Sequence, residues 1–173
     1  ISSPLESGRK FLGLQGQLWS ENTRSDSMAE HKVFPRIIAL AERAWYLPEW
    51  AVSYNYQGFK YSNQTNVFNE KLQSKRDEEW QLFANTLGRK EFPKLDLYKV
   101  KYRLPTVGAK IENGILHANI AFPGLTIEYL EVSDSNSNWQ IYSKAVEVKS
   151  SVKIRSKTSD GIRTSRISEV KFK

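Results

Sequence analysis

From about residue 99 the sequence reads as short alternating runs of apolar and polar residues between turn signals. The runs are Ile115 to Phe122, Leu125 to Val132, Trp139 to Tyr142, Val152 to Ser156 and Ile167 to Phe172. The breaks are Asn113-Gly114, Pro123-Gly124, Asp134 to Asn138 and Asp160-Gly161. A period of two sends successive side chains to opposite faces of a sheet. Asn-Gly and Asp-Gly supply the positive φ that tight hairpins need. This stretch predicts an antiparallel β-sandwich of about seven short strands. A sandwich of roughly 75 residues has a thin core, which gains from packing on a neighbour.

The preceding residues read differently. Phe11 to Trp19 (Phe-Leu-Gly-Leu-Gln-Gly-Gln-Leu-Trp) place Leu12, Leu14 and Leu18 on one parity, which predicts a buried strand with glycines where another backbone comes close. A polar loop is expected over Ser20 to Lys32. From Phe34, the spacing of Ile37, Ile38, Leu40, Ala41, Ala44 and Trp45 predicts a helix, opened by Pro35 and stopped by Pro48. An aromatic loop follows, with Tyr54, Tyr56, Phe59 and Tyr61. A second helix is expected from about Val67 to Leu87. Phe68, Leu72, Trp80, Phe83, Ala84 and Leu87 form its apolar side, Lys71, Lys75, Arg76, Asp77, Glu78 and Glu79 its polar face, and Gly88 its stop. The domain division is thus 1–98 and 99–173.

Composition narrows the function classes. The chain has 173 residues, too few for a complete (β/α)₈ barrel, which takes about 200 or more. With no cysteine and two histidines (His31 and His117), thiol nucleophiles, disulfide frameworks and three-histidine metal sites are excluded. Neither a membrane-spanning apolar run nor a leader pattern is evident, and the sequence opens at Ile1 rather than Met, so it is expected to begin inside a longer polypeptide or after processing. The net charge of +7 is uneven: residues 1–98 carry 13 Lys/Arg against 12 Asp/Glu, residues 99–173 carry 13 against 7. Such a basic C-terminal half raises nucleic acid as a partner, yet no aromatic residue is interleaved with its last charges before Phe172. A solvated sheet surface is the reading preferred, with no nucleic-acid partner.

Trp19 and Glu21 are the candidate binding residues. They stand two apart at the end of the expected strand, so extended geometry would point both to one side. An indole covers the apolar C–H face of a pyranose, and a carboxylate accepts hydrogen bonds from sugar hydroxyls. A core tryptophan beside a surface acid fits the same spacing.

Two motifs carry a family resemblance. They are Gly13-Leu14-Gln15-Gly16-Gln17-Leu18-Trp19-Ser20-Glu21 and Phe34-Pro35-Arg36-Ile37-Ile38-Ala39-Leu40-Ala41-Glu42-Arg43-Ala44-Trp45. In order and spacing they resemble the end of a family-20 glycoside hydrolase, the bacterial chitobiase and β-N-acetylhexosaminidase group. Tyr102-Arg103-Leu104-Pro105, Ala118-Asn119-Ile120-Ala121-Phe122-Pro123-Gly124 and Trp139-Gln140-Ile141-Tyr142 resemble the immunoglobulin-like C-terminal domain of chitobiases. The resemblance implies an α+β chain: the last strand and helix of a (β/α)₈ barrel, a helical linker, then the sandwich. It implies that Trp19 walls the pocket for a terminal N-acetylglucosamine and that Glu21 binds its O4 and O6 hydroxyls. Glu42 and Arg43 would form a structural ion pair.

The family is an exception to the two-carboxylate scheme, because the substrate's own acetamido group is the nucleophile. The resemblance assigns an Asp to polarise that amide and an adjacent Glu to act as acid and base, on a middle barrel strand. This sequence has no such segment; its one Asp-Glu pair, Asp77-Glu78, sits on the polar face of the expected second helix. The longer enzyme would be a retaining hydrolase of chitooligosaccharides, periplasmic, outer-membrane-associated or secreted, needing no metal or cofactor. This chain alone is expected to contribute a substrate-binding edge without turnover. The alternative is a carbohydrate- or partner-binding module using Trp139, Tyr142 and the basic tail, although a tryptophan in a thin sandwich is expected in its core. A strand and helix without their barrel expose Leu12, Leu14, Ile37, Ile38, Leu40 and Trp45. Either the first 50 residues pack on the long helix, or a second copy covers them in a homodimer.

Overall fold

The computed structural model describes residues 12–52, 68–133 and 138–172. Helices occupy the first part: α1 (Asp26–Val33), α2 (Arg36–Trp45), α3 (Glu70–Thr86) and α4 (Phe92–Leu97). Seven strands follow: β1 (Gly108–Glu112), β2 (Ile115–Asn119), β3 (Thr126–Glu131), β4 (Gln140–Tyr142), β5 (Val146–Glu147), β6 (Val152–Lys157) and β7 (Ser168–Val170). They form two antiparallel sheets, ordered β1-β2-β5 and β4-β3-β6-β7.

The sandwich follows from its alternation. Leu116 of β2, Ile127 and Tyr129 of β3, and Val152 and Ile154 of β6 are buried together with Val107 and Val148. The intervening Lys153 is exposed. Asn113 and Gly114 both take positive φ (51° and 77°) and join β1 to β2, as the Asn-Gly pair predicts. After β6, Thr158 and Arg163 close the Asp160-Gly161 turn through the Thr158 N–H to Arg163 carbonyl bond of 3.0 Å.

The helices share a second core. Leu87, Phe92, Tyr102 and Leu125 are buried in it, with Phe34, Ile38 and Phe83 packed around them. Phe92 stacks on Tyr102 at 4.5 Å and meets Phe122 edge-on at 5.2 Å. Ile120 packs against both cores and joins them. Burying four large apolar side chains at roughly 1.5–3 kcal/mol each makes this seam a main source of cohesion between helices and sheets.

Four expectations are corrected here. Residues 12–20 form no strand, and Leu12 is fully exposed at 102%. A strand needs neighbours for its backbone N–H and C=O groups, and all seven strands pair among themselves. Inside the expected polar loop, Ser25 accepts the Met28 N–H at 3.3 Å and starts α1. Asn69 caps α3 through the Leu72 N–H at 3.1 Å, but Gly88 does not end it. The chain passes through one π-helical turn, Leu87–Glu91, directly into α4. Gly88 is buried against Pro123 instead, and a Cβ there would overlap the Pro123 carbonyl oxygen. Lastly, Glu42 and Arg43 form no ion pair; Arg43 lies over the Trp50 ring at 5.0 Å.

Packing answers the exposed-helix question in part. Phe34 and Ile38 dock into the second core, while Leu12, Leu18, Ile37 and Trp45 stay exposed, Trp45 at 92%. The aromatic loop from Tyr54 to Tyr61 lies outside the described residues.

Candidate functional site

Trp19 and Glu21 sit where an irregular segment turns toward α1. The segment passes close to α2 at Gly16, where a Cβ would lie 2.7 Å from the Leu40 Cδ2. It ends in a turn over Glu21 and Asn22, closed by the Thr23 N–H to Ser20 carbonyl bond of 2.8 Å. Lys32 then donates to the Thr23 hydroxyl at 2.8 Å, tying the turn to the last residues of α1. Trp19 is 77% exposed and Glu21 is exposed. Because the segment is irregular and Glu21 lies in the turn, strand alternation does not relate the two side chains. Glu21 has no hydrogen-bond or ion-pair partner among the described residues. An exposed indole next to an unengaged carboxylate is chemically able to bind a hydroxylated ring.

The other candidates lie elsewhere. Asp77 pairs with Arg76 at 2.7 Å, and Glu78 accepts the Ser74 hydroxyl at 3.3 Å. Both contacts are local to α3. His31 is in the last turn of α1, held below its ordinary pKa by burial and then by Arg103, Arg163 and Arg36. His117 is half-buried on β2. Trp139 is not in the core: it is half-buried beneath the Arg155 guanidinium, 3.9 Å from its ring centre. Tyr142 packs against the sandwich core, and its hydroxyl accepts the Ala118 N–H at 3.0 Å. Among the described residues no three His, Cys, Asp or Glu side chains converge as metal ligands.

Three groupings were not foreseen. Between α2 and α3 lies a groove of about 700 Å³ lined by Arg43, Tyr46, Trp50, Glu79, Trp80 and Phe83. Glu42 and Asp77 also line it, and Glu79 accepts the Trp50 Nε1–H at 2.9 Å and the Tyr46 hydroxyl at 3.2 Å. On β3, buried Glu128 receives Arg155 at 2.9 Å and Lys157 at 3.2 Å. Burial raises its pKa, but the hydrogen bonds and charges of Arg155 and Lys157 outweigh that, and the net shift is downward. At the seam, Asp96 receives the Ser159 hydroxyl at 2.8 Å, the Tyr102 hydroxyl at 3.2 Å and the Arg163 guanidinium at 3.3 Å. The β3–β6 pairing, which sets Glu128 opposite Arg155, is the one sequence signal for any of them.

Comparison with known proteins places these features. Residues 3–48 match the catalytic-domain model of glycosyl hydrolase family 20, and residues 91–167 match the chitobiase/beta-hexosaminidase C-terminal domain. The chain is 39% identical to an N,N'-diacetylchitobiase of Vibrio harveyi over 94% of its own length and 18% of that protein's. It is 39% identical to a beta-hexosaminidase of Vibrio vulnificus, over 95% of this chain and 20% of the relative. These matches support reading the chain as a C-terminal fragment of a family-20 glycoside hydrolase. A beta-hexosaminidase B of Pseudoalteromonas piscicida is 49% identical over 50% of this chain and 11% of that one. The chain thus spans about a fifth of the length of the two Vibrio relatives. Trp19, Glu21, α1 and α2 fall in the catalytic-domain match. Asp96, Tyr102, Arg163 and strands β1 to β6 of the sandwich fall in the C-terminal match. The chain contains mixed helix and antiparallel sheet, as expected, and among the described residues no helix is long and apolar enough to cross a membrane.

Proposed function

We propose that this chain supplies one wall of the N-acetylglucosamine pocket of a family-20 exo-β-N-acetylhexosaminidase acting on chitooligosaccharides, and that it does not turn over substrate alone. One observation supports this above the others: Trp19 is 77% exposed beside an unengaged Glu21, inside the stretch matched to the family's catalytic domain. Residues 1–98 are read as the end of the barrel with its long helix, and residues 99–173 as the immunoglobulin-like domain. Trp19 stacks on the sugar, and Glu21 accepts from its O4 and O6 hydroxyls. The reacting groups, an acetamide-polarising Asp and an adjacent acid/base Glu, belong to the longer enzyme. Asp77-Glu78 is engaged along α3 and does not serve. The family resemblance puts that enzyme in a periplasmic, outer-membrane-associated or secreted setting. The exposure of Leu12, Leu18, Ile37 and Trp45 supports cover by another surface. For the isolated chain that surface is a second copy, and a concentration-dependent dimer in analytical ultracentrifugation tests it.

The test of the function is release from a chromogenic N-acetyl-β-glucosaminide. The purified chain should give no more than the buffer blank. Release abolished by a substitution in this chain would contradict the reading.

A further inference from the structure

Two peptide groups lie at the junction of the helices and the sandwich. Arg163, at the end of the turn after β6, donates to the Tyr102 carbonyl at 3.0 Å and the Val100 carbonyl at 3.3 Å. Those carbonyls belong to the 100–101 and 102–103 peptide units. The N–H groups of the same two units point the other way, as a trans peptide requires. The Lys101 N–H donates to the Glu30 carboxylate at 2.7 Å, and the Arg103 N–H donates to the Phe34 carbonyl at 3.1 Å. Each peptide unit is therefore held on both sides: by the sandwich turn through its oxygen, and by α1 or the α1–α2 junction through its nitrogen. Bonds in such a chain polarise one another. Arg163 is itself fixed, because it also reaches Asp96 at 3.3 Å and lies over the Tyr102 ring at 4.5 Å. From Glu30 the connection continues within α1 to Lys32 and Thr23, and through Thr23 to Ser20, beside Trp19.

We infer that the C-terminal sandwich is a buttress for the sugar-binding turn, with Glu30 and Arg163 as positioning residues that act on Trp19 and Glu21 through α1. This rests on the function proposed above for Trp19 and Glu21. It gives the sandwich a duty that needs no ligand of its own. Hydrophobic contact alone would let α1 rotate on the seam, because no α1 residue is buried. The hydrogen bonds from residues 101 and 103 fix it.

The test uses the whole chain labelled with 5-fluorotryptophan, the Trp19 resonance being assigned with Trp19→Phe. Amide hydrogen exchange at Thr23 is followed in parallel, since that N–H closes the turn. Glu30→Ala should speed Thr23 exchange at least fivefold and shift the Trp19 fluorine line. Glu30→Gln, which keeps an acceptor oxygen, should restore both to within twofold of the parent. Val148→Ala, a cavity in the sandwich core away from the seam, should leave both within twofold although it lowers the melting temperature. If Glu30→Ala does not fold, Arg163→Lys carries the same test, because it keeps the charge and loses the fork. Unchanged Thr23 exchange and Trp19 line in the seam variant would overturn the buttress, as would an equal change in Val148→Ala. The Proposed function fails separately: N-acetylglucosamine then leaves the parent's Trp19 line unmoved, whatever the seam variants do.

Discussion

Gly88→Ala separates two accounts of the same glycine by the sign of its effect. Gly88 sits in the π turn between α3 and α4, with an ordinary helical neighbourhood. On helix propensity alone, alanine there should stabilise by about 1 kcal/mol. The structure requires the opposite. The new methyl would overlap the Pro123 carbonyl oxygen and crowd the Pro123 carbonyl carbon and Phe122 backbone, so two main-chain segments must part by more than an ångström. Gly124, at φ 103°, presses on the same place from the other side, since its own Cβ would lie 2.9 Å from Gly88. No side-chain rotation relieves such a contact. Parting these segments opens the layer where Leu87, Phe92 and Leu125 meet. Overpacking costs about 1–3 kcal/mol where side chains can yield. Here only backbone can, so the upper end applies, and after the propensity gain the net loss should be at least about 2 kcal/mol. Urea unfolding followed by circular dichroism measures it. A neutral or stabilised Gly88→Ala would refute the close packing of helix and loop, and with it the physical reason why the helix does not stop at this glycine.

Two further outcomes depend on pH. Glu128 has its folded pKa lowered by Arg155 and Lys157 against the opposing effect of burial, so its contribution is present above the ordinary carboxylate range and is lost as pH falls through the folded value. The melting temperature should therefore fall on acidification from pH 6 to pH 3, and less steeply in Glu128→Gln. That variant should cost about 1–2 kcal/mol at neutral pH, below the 3–5 of a fully buried pair, because both cations keep partial access to water. Tyr102 has its pKa raised by burial first and then by the Asp96 charge and hydrogen bond. The unfolded phenol ionises near about pH 10 while the folded one holds its proton, so stability drops as pH rises past that point. Thermal scans from pH 8 to pH 11 should show a shallower drop in Tyr102→Phe, which loses about 1 kcal/mol at neutral pH for the missing hydrogen bond.

The parts legible in the sequence are those governed by local rules. Alternation locates β2, β3, β4, β6 and β7, Asn113-Gly114 marks its hairpin, and the spacing from Ile37 to Trp45 marks α2. What local rules miss depends on partners. The alternation in Phe11 to Trp19 is a sound strand signal, but a strand exists only where other strands pair with it. Strand β1 is carried by Ala109 and Ile111 alone, and β5 is two residues long, so neither stands out before β2 is in place. Helix α1 has no buried residue and is set by its Ser25 cap rather than by hydrophobic spacing. Gly88 looks like a helix stop because its reason, Pro123, lies 35 positions away. Aromatics fill thin sandwiches, which predicts Trp139 in the core, yet Arg155 from β6 of the same sheet as β4 provides its cover. At the candidate site, the motif supplied Trp19 and Glu21, whereas the positioning contacts of Glu30 and Arg163 span 71 and up to 67 residues and leave no local trace.

Proton NMR on N,N'-diacetylchitobiose mixed with this chain reads sugar binding and turnover in one sample. The account predicts saturation transfer from protein to the non-reducing N-acetylglucosamine, lost in Trp19→Ala and weakened in Glu21→Ala, with the anomeric signals of the disaccharide unchanged over time. Transfer that survives Trp19→Ala, or steady release of N-acetylglucosamine by the chain alone, would contradict it.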